Sequence, residues 1–209
     1  MFDIKACRLC LVTDRPLARG RALTDIVAAA VRGGATMVQL REKDAGTREF
    51  LELARALKAL LTPLGVPLVI NDRVDIALAA NADGVHVGQT DMPLADVRQI
   101  VGPDKFIGLS TSKAEYILRA DAQAADYLGI GPVYAQQTKP GTATPHGVEG
   151  FRALRALTKK PVMAIGGMKA SNSAPVIAAG ADGLAVVSAI VAADDPEAAT
   201  REIAALFKG

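Results

Sequence analysis

The segment Gln39-Leu40-Arg41-Glu42-Lys43 sets an amide and two cations at alternate positions. In an extended chain, residues two apart share a face, so Gln39, Arg41 and Lys43 form one line of donors. Burying unpaired cations is costly, and an anion is the natural partner of such a line. Further on, Asn71-Asp72-Arg73 follows the apolar run Pro67-Leu68-Val69-Ile70, and Gly88-Gln89-Thr90-Asp91 follows Val85-His86-Val87. Asp72 and Asp91 therefore end consecutive runs, close enough to share a metal if those runs are neighbouring strands. Mg²⁺ takes one or two carboxylates and fills its octahedron with water and phosphate oxygens, which makes the two aspartates its candidate ligands. Each also suits the N-cap of the amphipathic stretch that follows it, and the sequence leaves that alternative open.

A second anion site is written in small residues. Ala164-Ile165-Gly166-Gly167 and Val186-Val187-Ser188 each end an apolar run. Bare amides there, with a helix N-terminus behind them, suit a phosphate, and glycine at 167 lets it approach the main chain. The polar, Gly- and Pro-rich segment 131–147 holds Gln136, Gln137, Thr138 and Lys139. Loops of this length in compact domains tend to be lids, and Lys139 would close over a phosphate. No Ser/His/Asp or Cys/His arrangement is evident, and there are only 2 histidines. The expected chemistry is driven by a leaving group, with positioning and charge stabilisation supplying the catalysis.

The elements that must position these groups follow from the hydrophobic pattern. Apolar runs at 7–13, 36–41, 67–71, 83–88, 105–110, 126–131, 161–166 and 183–188 alternate with amphipathic stretches. The clearest of these is 47–61, where Phe50, Leu51, Leu53, Ala54, Leu57, Leu60 and Leu61 recur at helical spacing. Near-continuous apolar strands imply a parallel sheet covered on both faces, and eight βα units in 209 residues imply a single (β/α)8 barrel, a TIM barrel, across 1–209. An internal echo supports the repeat. Gly33-Gly34-Ala35-Thr36, Asn81-Ala82-Asp83, Ala124-Ala125-Asp126 and Gly180-Ala181-Asp182 each lead from a helix end into a strand. In such barrels chemistry sits where strands end. All eight ends carry ligand-binding types, among them Thr13-Asp14, Arg41 to Lys43, Asn71-Asp72, Gln89 to Asp91 and Ser110-Thr111. One mouth thus holds a cationic, metal-assisted site suited to a pyrophosphate and a backbone cradle suited to a monophosphate.

Other classes are excluded by composition. Net charge is +2 with no basic run, Trp is absent and aromatics are 4%, so neither phosphate-tracking patches nor base-stacking platforms for nucleic acid are present. No apolar run approaches the ~18 residues of a membrane span, and the N-terminus lacks the long apolar stretch of a signal peptide. A cytoplasmic enzyme acting on small phosphorylated molecules is expected. Cys7 and Cys10 lie in an apparent strand, where residues three apart face opposite ways, so their thiols are not expected to converge. There is no second cysteine pair to complete a zinc site. His86 is expected to pack within the fourth strand.

Taken in order, Leu-Val-Thr-Asp at 11–14, Gln-Leu-Arg-Glu-Lys at 39–43, Ile-Asn-Asp-Arg at 70–73, Gly-Val-His-Val-Gly-Gln-x-Asp at 84–91, Gly-x-Ser-Thr at 108–111, Thr-Lys at 138–139, Ile-Gly-Gly at 165–167 and Val-Val-Ser at 186–188 resemble thiamine-phosphate synthases over nearly the whole chain. The resemblance implies coupling of 4-amino-2-methyl-5-hydroxymethylpyrimidine pyrophosphate to a thiazole phosphate, with release of pyrophosphate by a dissociative route. It implies that the segment 39–43, Asn71, Ser110 and Lys139 hold the pyrimidine pyrophosphate, with Arg41, Lys43, Ser110 and Lys139 acting in catalysis. Asp72 and Asp91 would bind Mg²⁺, and the lid residues Gln136 to Thr138 with Gly167, Val187 and Ser188 would hold the thiazole phosphate. Three departures stand out: Gln136 replaces a Thr, Pro140-Gly141 replaces an Asp after the lid lysine, and Ser112 stands where many members have His. A thiazole tautomerase on the same barrel is one alternative, against which Asp91 with Lys139 argues, and a non-catalytic binder of thiamine precursors is another, against which the retained pair Asp72 and Asp91 argues.

Overall fold

A computed structural model describes residues 3–119, 124–136 and 144–207. Eight strands, β1 (Leu9–Val12), β2 (Met37–Leu40), β3 (Leu68–Asn71), β4 (Gly84–Val87), β5 (Phe106–Thr111), β6 (Tyr127–Ile130), β7 (Val162–Ile165) and β8 (Gly183–Val186), pair in parallel in chain order and close on themselves through β8 and β1. The barrel expected from the alternation of apolar runs is the fold observed. All eight strands fall on the expected runs; only β5 runs on a residue, to Thr111.

The helices α1 (Leu23–Gly33), α2 (Thr47–Leu61), α3 (Val74–Ala79), α4 (Leu94–Val101), α5 (Ala114–Leu118), α6 (Gly147–Arg155), α7 (Ala170–Ala178), α8 (Ser188–Val191) and α9 (Pro196–Ala205) cover the outside. Period-two alternation divides each strand between two cores. Leu9, Leu11, Val38, Leu40, Leu68, Ile70, Leu128 and Ile130 face outward into the layer beneath the helices. Cys10, Val12, Met37, Val69, Tyr127, Met163 and Ala185 fill the barrel interior.

The internal echo has a structural meaning. The carboxylates of Asp83, Asp126 and Asp182 accept the N–H groups of Leu68, Ile107 and Val162 at 2.7–2.8 Å, and the Thr36 hydroxyl accepts that of Leu9 at 2.9 Å. In return, the backbone N–H groups of Thr36, Asp83, Asp126 and Asp182 donate to the carbonyls of Leu9, Leu68, Ile107 and Val162. The same clasp therefore joins β1–β2, β3–β4, β5–β6 and β7–β8 at the end where strands begin. Gly34, Asn81 and Gly180 adopt the left-handed conformation that stops the helices before three of the clasps.

Cys7 departs from its expected place. It lies in a 3-10 turn, Ile4–Cys7, ahead of β1, so the strand alternation does not govern it. Both thiols are free, fully buried and part of the same interior cluster. Burial pushes the Cys7 thiol up to about 12, and burial also raises Cys10.

Candidate active site

The end of the barrel where strands finish gathers the expected groups on short tethers. Gln39 is the last inward-facing residue of β2 and is 5% exposed. Arg41 follows it and is clamped from β1: the Thr13 hydroxyl accepts the Arg41 N–H at 2.9 Å, and Asp14 pairs with its guanidinium at 3.3 Å. Lys43 reaches across to Asp72, with 2.6 Å between Nζ and Oδ2. The cations are thus not bare, as the residue types alone suggest, but each is held by a carboxylate.

Two members of the 39–43 segment point elsewhere. Leu40 is fully buried in the outer layer, so only its backbone is available at the mouth. Glu42 turns its side chain to Arg15, 2.8 Å away, and Arg15 also pairs with Glu49. The other oxygen of Glu42, Oε1, is buried without a partner.

Asp72 turns the chain sharply at the end of β3 with φ of +63°, a left-handed conformation that costs a non-glycine residue roughly 1 kcal/mol. Its N–H donates to the carbonyl of His86, tying the turn to β4. Asp91 folds back so that Oδ2 accepts the Gly88 N–H at 2.7 Å. Neither aspartate caps a helix: the N-cap of α3 is Arg73 and that of α4 is Pro93, both without a side-chain cap bond. Burial lifts the Asp91 carboxyl above the usual carboxylate range, and the adjacent Asp72 lifts it further against the Gly88 N–H and Lys43. Two carboxylates set face to face beside one lysine carry surplus negative charge that a divalent cation would neutralise. This donor set fits Mg²⁺, which needs no third protein ligand, and among the described residues no cluster of three or more His, Cys, Asp or Glu exists.

Ser110 sits on β5 with its carbonyl accepting from Gln89 at 2.8 Å and its hydroxyl 2.8 Å from His86 Nε2. Asn71 ends β3, separated from β5 in the ring by β4, where it pairs in register with His86. On the far side, Gly166 and Gly167 take φ values of +100° and +65°. A Cβ at Gly166 would lie 2.6 Å from Pro132, and one at Gly167 would lie 2.7 Å from the Ala135 carbonyl. The glycines thus answer first to the segment after β6, which crosses over them through Val133 N–H to Ile165 O and Tyr134 N–H to Gly166 O. Val187 follows β8 and packs against the interior cluster, and Ser188 opens α8 after the strand that pairs with β7. His146 and Gly147 return to the same place, donating to the carbonyls of Pro132 and Val133. Gln136 stands at the outgoing end of this loop; Gln137, Thr138 and Lys139 lie outside the described residues.

Sequence reasoning marked Asp14 and Gln89 only as polar strand ends and gave neither their contacts nor those of His86. Thr13-Asp14 marked a polar strand end, but nothing in sequence tied it to Arg41, which lies 28 residues from Thr13. The inward parity of His86 with Gly84 was a readable signal; its partners on β5 and β6 were not.

A closed parallel barrel whose strand ends gather clamped cations, facing carboxylates and a glycine turn is the architecture of an enzyme acting on small phosphorylated molecules. A family model described as thiamine monophosphate synthase matches residues 9–190. The thiamine-phosphate synthase of Solidesulfovibrio magneticus is 58% identical over 195 residues, covering 93% of this chain and 92% of its own. That of Albidiferax ferrireducens is 54% identical over 193 residues, covering 92% and 88%. Among solved structures, a thiamine phosphate pyrophosphorylase from Pyrococcus furiosus superposes with a TM-score of 0.89 at 36% identity, covering 98% of this chain and 97% of that one. The chain belongs to the thiamine monophosphate synthase family. It is an enzyme, a transferase of thiamine biosynthesis. No described helix is long and apolar enough to cross a membrane.

Proposed function

We propose that the mouth of the barrel joins a pyrimidine pyrophosphate to a thiazole phosphate through Mg²⁺-assisted departure of pyrophosphate, and that the facing pair Asp72 and Asp91 holds the metal. The observation that carries this reading is the carboxylate pair itself, set beside Lys43 and one strand from Arg41. When bound, Mg²⁺ supplies charge neutralisation for the leaving group. Everything else is work for the chain's own side chains. Arg41, kept in line by Thr13 and Asp14, and Lys43, kept by Asp72, offer fixed positive charge to the pyrophosphate oxygens. Gln39, Asn71 and Ser110 orient the same substrate with neutral hydrogen bonds. Lys139, outside the described residues, contributes its positive charge to the departing group.

The glycine turn at Gly167, with Val187 and Ser188, receives the phosphate of the thiazole, and Gln136 and Thr138 are assigned to the same substrate. The attacking ring nitrogen carries no proton, so the bond to the pyrimidine methylene forms without a general base. The chemistry belongs in the cytoplasm, since doubly charged substrates do not cross membranes unaided.

The test is a coupling assay with purified protein, Mg²⁺ and both substrates, reading thiamine phosphate and pyrophosphate together. Equal amounts of both products, abolished by EDTA and restored by Mg²⁺, are expected. Product formation indifferent to EDTA would remove the metal from the account, and thiazole phosphate isomerised without coupling would move the chain to the tautomerase branch of the fold.

A further inference from the structure

The interior of the barrel directly beneath Ser110 is built around two polar rings. His86 projects inward from β4 and is 6% exposed, and Tyr127 projects inward from β6 and is fully buried. Their ring centroids are 5.5 Å apart, inclined by 38°. Imidazole Nδ1 lies 3.0 Å from the Tyr127 hydroxyl and Nε2 lies 2.8 Å from the Ser110 hydroxyl. Two glycines make this arrangement possible. A Cβ at Gly108 would overlap the Tyr127 ring and His86 Nδ1, and one at Gly129 would lie 3.3 Å from His86 Cε1. Neither glycine has a positive φ, so space rather than backbone conformation calls for glycine at 108, and a Cβ at 129 would crowd His86 more mildly. Strands β5 and β6 thus give up a side chain each at the layer where the two rings sit.

We propose that His86 and Tyr127 form a directional relay that fixes the proton of Ser110 toward the mouth. In this relay the Tyr127 hydroxyl donates to Nδ1, the Nε2–H donates to Ser110 Oγ, and the serine proton is left to donate to a substrate oxygen. A neutral imidazole has one donor and one acceptor nitrogen, so only two polarities are open to the chain of three groups. In the reverse polarity Ser110 spends its proton on Nε2 and presents only lone pairs to the mouth. Lone pairs facing a pyrophosphate oxygen repel it; a hydroxyl proton stabilises the negative charge that grows there as the bond breaks. Tyr127 suits the start of the relay, because burial raises its hydroxyl well above the ordinary range and keeps it protonated. His86 is thereby a positioning residue for Ser110, and Tyr127 for His86. The relay rests on the reading that Ser110 faces the pyrophosphate.

The experiment reads the tautomer directly. The folded 209-residue chain, with its 2 histidines ¹⁵N-labelled, would be examined by ring ¹⁵N–¹H correlation without substrate. His146→Gln removes the second set of signals and so assigns His86. A proton on Nε2 alone is expected; a proton on Nδ1, or on both nitrogens, would overturn the relay even if the coupling reaction proceeds as proposed. Tyr127→Phe should then mix the tautomers and lower kcat about tenfold, the worth of roughly one hydrogen bond, with a smaller change in KM. His86→Gln, which can still donate to Ser110, should keep more kcat than His86→Leu. Equal losses in the two His86 variants, or an unchanged tautomer and kcat in Tyr127→Phe, would overturn it as well. Failure of the coupling assay in the unaltered protein, with the Nε2 tautomer present, would instead count against the assignment of the site.

Discussion

The two ends of this barrel use the same residue types in opposite ways. At the end where strands begin, Asp83, Asp126 and Asp182 each accept a backbone N–H and pair with a cation, Lys58, Arg98 and Arg155 respectively. The arginines also spend their remaining donors on carbonyls, Arg98 on Gly102 and Lys105 and Arg155 on Thr158 and Gly180. Charge and hydrogen bonding close within the protein there, and each clasp joins two strands. At the mouth the bookkeeping is left open. Asp72 and Asp91 face each other, Asp72 is held in a left-handed turn, and a Glu42 oxygen is buried without a partner. A carboxylate that completes a sheet is a structural part; one held against another carboxylate is set up for something from outside.

The contrast can be broken at either end. The largest effect is expected at the mouth: Arg41→Ala should lower kcat/KM by about 10²–10³-fold, while Asp14→Asn, which only loosens Arg41, should cost about tenfold. Steady-state kinetics on both would show whether Asp14 acts through Arg41, since the double variant should be no worse than Arg41→Ala alone. At the opposite end, Asp182→Ala strands the Val162 N–H and Arg155. It should remove about 2–3 kcal/mol, a fall in Tm of roughly 5–10 °C for a domain of this size, with kcat within about twofold of the parent. A large loss of kcat in a well-folded Asp182 variant would break the division.

Gly167→Ala tests the place where the two roles meet. Its φ of +65° and the crowding by Ala135 O should cost about 1–3 kcal/mol, and KM for the thiazole phosphate should rise with it. Last, the interior cysteines should be silent. Native protein should not react with a thiol reagent at neutral pH, and unfolding should release both thiols. The sign of the pH effect follows from burial. The folded Cys7 thiol keeps its proton up to about 12, while unfolded thiols ionise near ~8.5, so stability should fall as pH rises between those values. Denaturant titrations at two alkaline pH values, repeated on Cys7→Ala, would measure a shallower loss in the variant.

Much of this was legible in the chain itself. Strands such as Leu68–Asn71 and Val162–Ile165 are buried on both faces, so they read as continuous apolar runs with sharp polar ends, and eight of them leave little choice of fold. The positions of Asp72, directly after β3, and of Asp91, four residues beyond the end of β4, could be read from the polar ends of the apolar runs. What could not be read is whatever depends on contact across the barrel. The bond from Ser110 to His86 spans 24 residues and that from His86 to Tyr127 spans 41, and the Gly108 and Gly129 space for them has no local signature. The inward line of donors was legible at Gln39, but the pairing of the Glu42 side chain was not, because its partner Arg15 lies on the β1 loop. Cys7 was misread because a 3-10 turn precedes the strand and moves the start of the alternation.

The most direct test of the division between the two ends is to measure turnover and thermal unfolding on the same preparation of Asp91→Asn. With a metal ligand lost and a like-charge contact relieved, Mg²⁺-dependent coupling should fall by at least about 100-fold, while the metal-free Tm stays within ~2 °C of the parent or rises. Coupling at the parent rate, or a loss of turnover matched by a loss of stability, would contradict the account and return Asp91 to the role of a structural aspartate.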